Sequence, residues 1–258
     1  MSGLTIIALD KITIGGRDMP AAVTAMERLL AREASGAPAA RTAFRLGNMT
    51  LKLEQAEVEG PRALVFAVRD IDGALRSAER RALEPQAPVA FAEGRAIELP
   101  ERATHGVPIR LVQYASPSSL APAAAMGEGA VIGLDHVVIR TTHPNRAAAL
   151  YGARLGLNMR LDRTEPKWGA RLMFFRCGDL IVEVVHELKD EPSDAPDRLW
   201  GLSWRVADAA IAHARLKANG VCVSEMRPGR KPGTRVFTVR DNTLSVPTLM
   251  LEPSAPNR

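Results

Sequence analysis

The sequence predicts an α+β protein made of two homologous halves, each built from two β-α-β-β-β modules. The first observation behind this is repetition. IALDKITIGG at 7–16 returns as IGLDHVVIRT at 132–141, and FRLGNMTLKLE at 44–54 returns as FRCGDLIVEVV at 175–185. ALVFAVRDIDGALRSAERRAL at 63–83 is repeated in pattern by GLSWRVADAAIAHARLKANGV at 201–221, and THGVPIRLVQYASP at 104–117 by TLSVPTLMLEPSAP at 243–256. The second observation is that these matches keep one order at nearly constant spacing, which marks an internal duplication. The third is length: 258 residues approach the limit of one core, so two domains of about 125 residues are expected.

The C-terminal half shows the local grammar most clearly. A β-branched run at 134–140 reads as a strand. His143-Pro144-Asn145 then starts a helix and Gly156 ends it. Short strands follow around 158–163, 170–177 and 179–187. The polar loop LKDEPSDAPDR separates them from a strand at 201–206, a helix at 208–219 closed by Gly220, and further strands to 252. The join between the halves, ASPSSLAPAAAMGEGA, is rich in Ala, Pro, Ser and Gly and reads as a linker. The expected domains are 1–115 and 131–258, with the linker at 116–130.

Composition narrows the function classes. Hydrophobic residues make up 46% and charged residues 24%, an ordinary globular balance. The net charge of +5 comes mostly from scattered arginines, and aromatics are only 4%. Nucleic-acid binding needs a basic stripe with interleaved aromatics, so the charge points instead to a small-molecule substrate, anionic if anything. No apolar run is long enough for a membrane span, and the first residues lack the features of a signal peptide. A cytoplasmic protein with no membrane partner is expected. The two cysteines, Cys177 and Cys222, lie in apolar runs and read as buried, reduced side chains.

The order LDHVVI, then LIVEVV after FRCGD, then GLSWRVAD, then VPTLMLEP, resembles the vicinal oxygen chelate superfamily over nearly the whole chain. This is the glyoxalase, bleomycin-resistance and extradiol-dioxygenase group, and GLSWRVAD is most similar to its glyoxalase-like branch. The resemblance implies two tandem domains whose paired βαβββ units curl into cup-shaped mixed sheets. Inward positions on the first and last strands of each unit hold a divalent metal in that group. Carried onto this chain, they fall on His136, Glu183 and Glu252, while the position that often holds a second histidine is Gly201. One imidazole and two carboxylates suit Mn, Fe, Zn, Mg or Ni. Such an ion would polarise two adjacent oxygens of a small substrate, with Glu183 or Glu252 shuttling the proton, as in isomerase or lyase chemistry.

Other readings stay open. Gly201 fits a metal-free binding or sequestration protein of bleomycin-resistance type, and it counts against an extradiol dioxygenase, which wants two histidines and a carboxylate. Arg140 and Arg205, at period-2 positions from His136 and Gly201, can neutralise Glu183 or Glu252 without any metal. In the N-terminal half the matching positions are Lys11, Lys52, Ala63 and Gln113, which cannot hold a cation. That half reads as a structural partner, with an anion pocket at Lys11 and Lys52 as the other reading. The resemblance also leaves room for a homodimer.

Three further residues are candidates for substrate contact. Arg227 and Lys231 lie in MRPGRKPGTR at 226–235, a lid that can grip an anion, or else a solvated turn. Trp168, in EPKWGAR, can close over a substrate. Trp200 and Trp204 read as core. His105, His143 and His213 lack partners at ligand spacing and read as structural.

Overall fold

Each predicted module forms around a capped helix. The computed structural model describes residues 4–36, 42–116, 123–125 and 127–254. The first module holds β1 (Ile6–Gly16), α1 (Met19–Leu30), β2 (Ala43–Arg45) and β3 (Thr50–Gln55). The second holds β4 (Gly60–Val68), α2 (Ile71–Arg80), β5 (Val89–Phe91), β6 (Gly94–Leu99) and β7 (Ile109–Tyr114). The third holds β8 (Val131–Arg140), α3 (Pro144–Ala148) continued by a π-helical segment (Ala149–Arg154), β9 (Asn158–Glu165), β10 (Ala170–Cys177) and β11 (Leu180–Glu187). The fourth holds β12 (Arg198–Val206), α4 (Ala209–Ala218), β13 (Arg227–Pro228), β14 (Arg235–Val239) and β15 (Thr248–Glu252).

The helices begin where the sequence supplies caps. The Asp18, Asp70 and Asp208 side chains accept from Ala21 N, Gly73 N and Ile211 N, each at 3.0 Å, and His143 Nδ1 accepts from Arg146 N at 3.3 Å. Gly156 (φ 76°) and Gly220 (φ 75°) end the helical segments of the C-terminal half in the left-handed region. Of the expected linker at 116–130, residues 117–122 and 126 lie outside the described residues. No helix among the described residues is long and apolar enough to cross a membrane.

Sheet topology carries the duplication. One sheet has the order β2-β3-β1-β4-β7-β6-β5, and the other β13-β14-β15-β12-β8-β11-β10-β9. Taken from its opposite edge, the second order repeats the first with one strand, β9, added. Even the register repeats. Leu64 pairs with Ile109 across the parallel β4–β7 ladder, as Leu202 pairs with Thr248 across β12–β15. These are the α+β modules in mixed sheets that the sequence predicts.

By packing, the chain divides into two compact units. One comprises Met1–Ile12, Arg62–Ala121 and Val137–Leu199; the other comprises Thr13–Pro61, Pro122–His136 and Trp200–Arg258. Phe66, Tyr151 and Phe175 are buried in the first, and Phe44, Trp204 and Phe237 in the second. In each unit an arginine from the C-terminal half closes a helix from the N-terminal half. Arg154 donates to Arg81 O at 2.9 Å and also to Ala82 O, beyond α2. Arg215 donates to Arg28 O at 2.6 Å and Leu29 O at 2.9 Å, at the end of α1. A guanidinium there satisfies last-turn carbonyls and meets the negative end of the helix dipole.

Two expected core residues are at the surface. Trp200, in the first turn of β12's pleat, is 37% exposed, whereas Trp204 is buried as expected. Cys222 is exposed, because the chain between α4 and β13 is irregular; Cys177 is buried, and both are free thiols.

Candidate active site on the eight-stranded sheet

The two faces of this sheet decide which residues can act together. Residues directly opposite across a ladder point to the same side. Arg205 is opposite Leu251, and Leu251 is opposite Val236, so these three share one face. Trp204, Met250 and Phe237 form the other face; they are at most 1% exposed and pack toward α4.

Glu252 lies two residues beyond Met250 and opposite Arg235, hence on the α4 face. Its Oε2 accepts from Ala209 N at 2.7 Å, the first residue of α4, and from Arg235 Nη2 at 2.5 Å. Its counterpart Gln113 does the same in the N-terminal half. Gln113 Oε1 accepts from Ile71 N at 2.9 Å, the first residue of α2, and Nε2 donates to Arg69 O at 3.1 Å. This position caps a helix in both halves, which explains a carboxylate here without a metal.

Glu252→Gln is therefore expected to keep the cap and cost under about 1 kcal/mol, since the Arg235 pair is half-exposed. Glu252→Ala is expected to cost about 1–2 kcal/mol as the cap is lost. Thermal melts of the two variants check this; equal losses would show that the ion pair, not the cap, is what matters.

His136 stands in a different cluster. Asp135 Oδ1 accepts from Arg205 Nε at 3.0 Å, and Asp135 Oδ2 is 2.8 Å from His136 Nδ1. Each of the three side chains is a quarter or less exposed. Burial alone would raise the Asp135 pKa. The hydrogen bond and charge of His136, then those of Arg205, outweigh it and hold the carboxyl below its ordinary value. Arg205 projects from the face away from α4, and Glu252 from the face toward it.

The N-terminal half repeats the aspartate and changes its partners. Asp10 Oδ2 accepts from the Tyr114 hydroxyl at 2.6 Å and lies 3.3 Å from Lys11 Nζ. Lys11 also donates to the Tyr114 hydroxyl and stands over its ring at 5.0 Å. Burial, followed by the Asp10 hydrogen bond, pushes the Tyr114 pKa up. The duplicated Leu-Asp-X motif thus anchors an imidazole in one half and an ammonium in the other.

Glu183 is 7% exposed, opposite Phe174, and shares a face with Ile181 and Val185 as the alternation predicts. His186 points the other way, with Nδ1 3.2 Å from Thr141 O. Trp168, 41% exposed, ends a 3-10 turn after β9 and has the Arg163 guanidinium 5.3 Å from its ring centroid. Arg227 is opposite Val236, on the face of Arg205 but three strands away, roughly 14 Å. The expected lid is a paired hairpin, and its tip is closed by bonds from Thr234 N and Oγ1 to Lys231 O at 3.2 and 2.6 Å. Arg235 pairs with Glu252, and Arg140 Nη1 lies 3.1 Å from Glu187.

These positions bear on the metal. Glu252 is held on the helix-facing side, and no group of three His, Cys, Asp or Glu able to hold an ion occurs among the described residues. A Cβ built on Gly201 would lie 3.1 Å from Pro247 O, so a side chain there has to move backbone. His136 keeps the attitude of a ligand. A carboxylate on Nδ1 is the usual outer support of a metal-bound imidazole, and equally of a catalytic base.

Residues 135–238 match the model of the Glyoxalase/Bleomycin resistance protein/Dioxygenase superfamily. The fold extends the likeness to the full length. The 2,2',3-trihydroxybiphenyl 1,2-dioxygenase of Sphingomonas wittichii strain RW1 aligns with a TM-score of 0.73 at 13% identity, over 96% of this chain and 91% of that one. BphC, a halotolerant catechol dioxygenase, gives 0.73 at 12% identity, over 97% and 88%. The Mn(II)-bound glyoxalase of Novosphingobium aromaticivorans gives 0.71 at 14% identity, over 96% and 82%. At such identities the likeness is one of fold. No curated protein matches the sequence.

Proposed function

We propose that the protein is a glyoxalase-like isomerase or lyase that moves a proton on a small molecule oxygenated at adjacent carbons, with His136 as the proton carrier. The Asp135–His136–Arg205 cluster carries this reading. An ionised carboxylate can only accept, so Asp135 requires the proton of the neutral ring to sit on Nδ1. The lone pair is then on Nε2, the nitrogen that can take a proton from carbon and return it. Arg205 fixes Asp135 and adds positive charge beside the enolate that would develop.

The same tautomer serves a second reading, in which Nε2 binds a divalent ion such as Mn, Fe, Zn, Mg or Ni. His136 is then a donor from the predicted set. The manganese glyoxalase among the fold neighbours recommends it. Bound there, an ion would polarise the substrate oxygens.

The test is α-proton exchange in D2O, followed by NMR on lactaldehyde, hydroxyacetone, glycerate and lactate, with and without added divalent metals. Wild type is expected to exchange at least one, and His136→Gln to lose about 10²–10⁴-fold. Elemental analysis of both proteins separates the routes. Stoichiometric metal lost in His136→Gln selects the second reading, and exchange without metal the first. Binding with no exchange under any condition would leave a sequestration protein.

A further inference from the structure

The strands at the sheet edges are β2, β5, β13 and β9, and the first three are blunt. β2, β5 and β13 run for 3, 3 and 2 residues, and β13 contains Pro228. Short edges and prolines keep a sheet from pairing further. β9 differs: it is 8 residues long, Asn158 to Thr164 are all exposed, and no strand among the described residues pairs with its outer side. Exposed apolar side chains collect there. Met159 and Leu161 lie on the strand, Trp168 ends the turn after it, and Leu188 N donates to Gly169 O beside that turn at 2.8 Å; the four side chains are 39–48% exposed. A bulge at Arg160 shifts the register, with Leu161 opposite Phe174 and Met159 opposite Phe175. It leaves Arg160 unpaired on β10, and this guanidinium makes no hydrogen bond or ion pair among the described residues.

We propose that β9 is a homodimer interface, pairing antiparallel with β9 of a second copy of this chain across a two-fold axis. In such a pair, directly opposite residues either both exchange hydrogen bonds or both do not, so the axis must pass through a residue that faces itself. Two axes engage nearly the whole strand. One at Asp162 would pair 159–165 and set two carboxylates face to face. One at Leu161 pairs 158–164: Leu161 meets its own copy, Arg160 of each copy meets Asp162 of the other, and Met159 covers the stem of Arg163. Arg171 holds the Asp162 oxygens at 2.9 and 2.7 Å, and the carboxylate keeps lone pairs for a second guanidinium. Charges that guard the edge against other strands thus match a copy of themselves, which selects a second copy over an unrelated peptide. One strand pair buries less than a permanent interface, so the dimer is reversible and concentration-dependent.

Sedimentation velocity over a concentration series, on wild type and Arg160→Glu, provides the test. Because Arg160 makes no internal hydrogen bond or ion pair, the variant is expected to keep its fold, as its far-UV spectrum will show. Its dimer is expected to be about tenfold or more weaker, since two attractive pairs become repulsive. Oxidative crosslinking reads the register. In a Cys222→Ser background, which removes the exposed thiol, Leu161→Cys is expected to give a disulfide-linked dimer, because opposed residues bring their Cβ atoms within bridging range. Thr164→Cys, which faces Asn158 of the other copy, is expected to stay unlinked. Wild type that remains monomeric at every concentration would overturn the proposal. So would a dimer unaffected by Arg160→Glu, or crosslinking through Thr164→Cys in place of Leu161→Cys, either of which would put the contact elsewhere.

Discussion

Asp197→Ala is expected to lower stability by about 3–5 kcal/mol, the range found when one partner of a buried ion pair is removed. For a chain of this size that is a drop of roughly 6–20 °C in melting temperature. The Asp197 side chain is fully buried, and Oδ1 does the binding. It accepts from Thr141 Oγ1 at 2.8 Å, Arg146 Nη2 at 3.0 Å and Thr142 N at 3.4 Å. Its backbone N donates to His105 O at 2.7 Å, tying the start of β12 to the second module of the same unit. Alanine would leave the Arg146 guanidinium, 16% exposed, with Ala195 O at 2.8 Å and, as its other carboxylate, Asp194, fully exposed at 3.6 Å. Asp197 Oδ2 makes no hydrogen bond among the described residues. Asp197→Asn can therefore keep Oδ1 as an acceptor and is expected to cost less than half as much. Denaturant titration of both variants checks this; an alanine variant within about 1 kcal/mol of wild type would show that the pair barely repays its desolvation.

The fold was legible because the chain states it twice. Repeated segments placed β1 against β8, the β2–β3 hairpin against β10–β11, and β7 against β15, and the sheet orders follow the same correspondence. The added edge strand β9 was legible only as a short strand, for the repeat offers no partner to compare it with. Glu252 shows where strand reasoning fails. In TLMLE three successive residues are apolar, so no alternation tells which face is which. Only the pairing of Glu252 with Arg235, and its bond to Ala209 N, settle the face. The face of Glu183 follows from its hairpin register with β10, which the tight turn at Gly178 fixes. Arg205 was read as a possible neutraliser of a glutamate. Arg205 Nε donates to Asp135 Oδ1, 70 residues away in sequence, a pairing that spacing could not supply. One signal was available: Asp is the polar residue that the two Leu-Asp-X copies share, while the residue after it changes.

Asp135→Asn is expected to lower turnover by about 10²–10⁴-fold, more than its small change in shape suggests. The carboxamide has one acceptor oxygen and one donor nitrogen. Arg205 Nε can only donate, so it will hold the oxygen, and the NH2 group will turn toward His136. Nδ1 must then accept, the ring proton moves to Nε2, and the lone pair needed for a proton or a metal ion is lost. A serine protease in which the same carboxylate was replaced by its amide lost about 10⁴-fold for this reason. The ring state can be read without a substrate, from the ¹⁵N shifts of His136: Nδ1–H in wild type and Nε2–H in Asp135→Asn. Nε2–H in the neutral wild-type ring would sink both routes at once, since each needs that nitrogen bare. Stability adds a second check whose sign is fixed. Asp135 has a folded pKa below its unfolded value, so its contribution is present above the ordinary carboxylate range and is lost as pH falls through the lower folded value. The stability gap between wild type and Asp135→Asn should therefore be widest near neutral pH and close in acid. A gap independent of pH would mean that Asp135 holds His136 and Arg205 by shape rather than by charge.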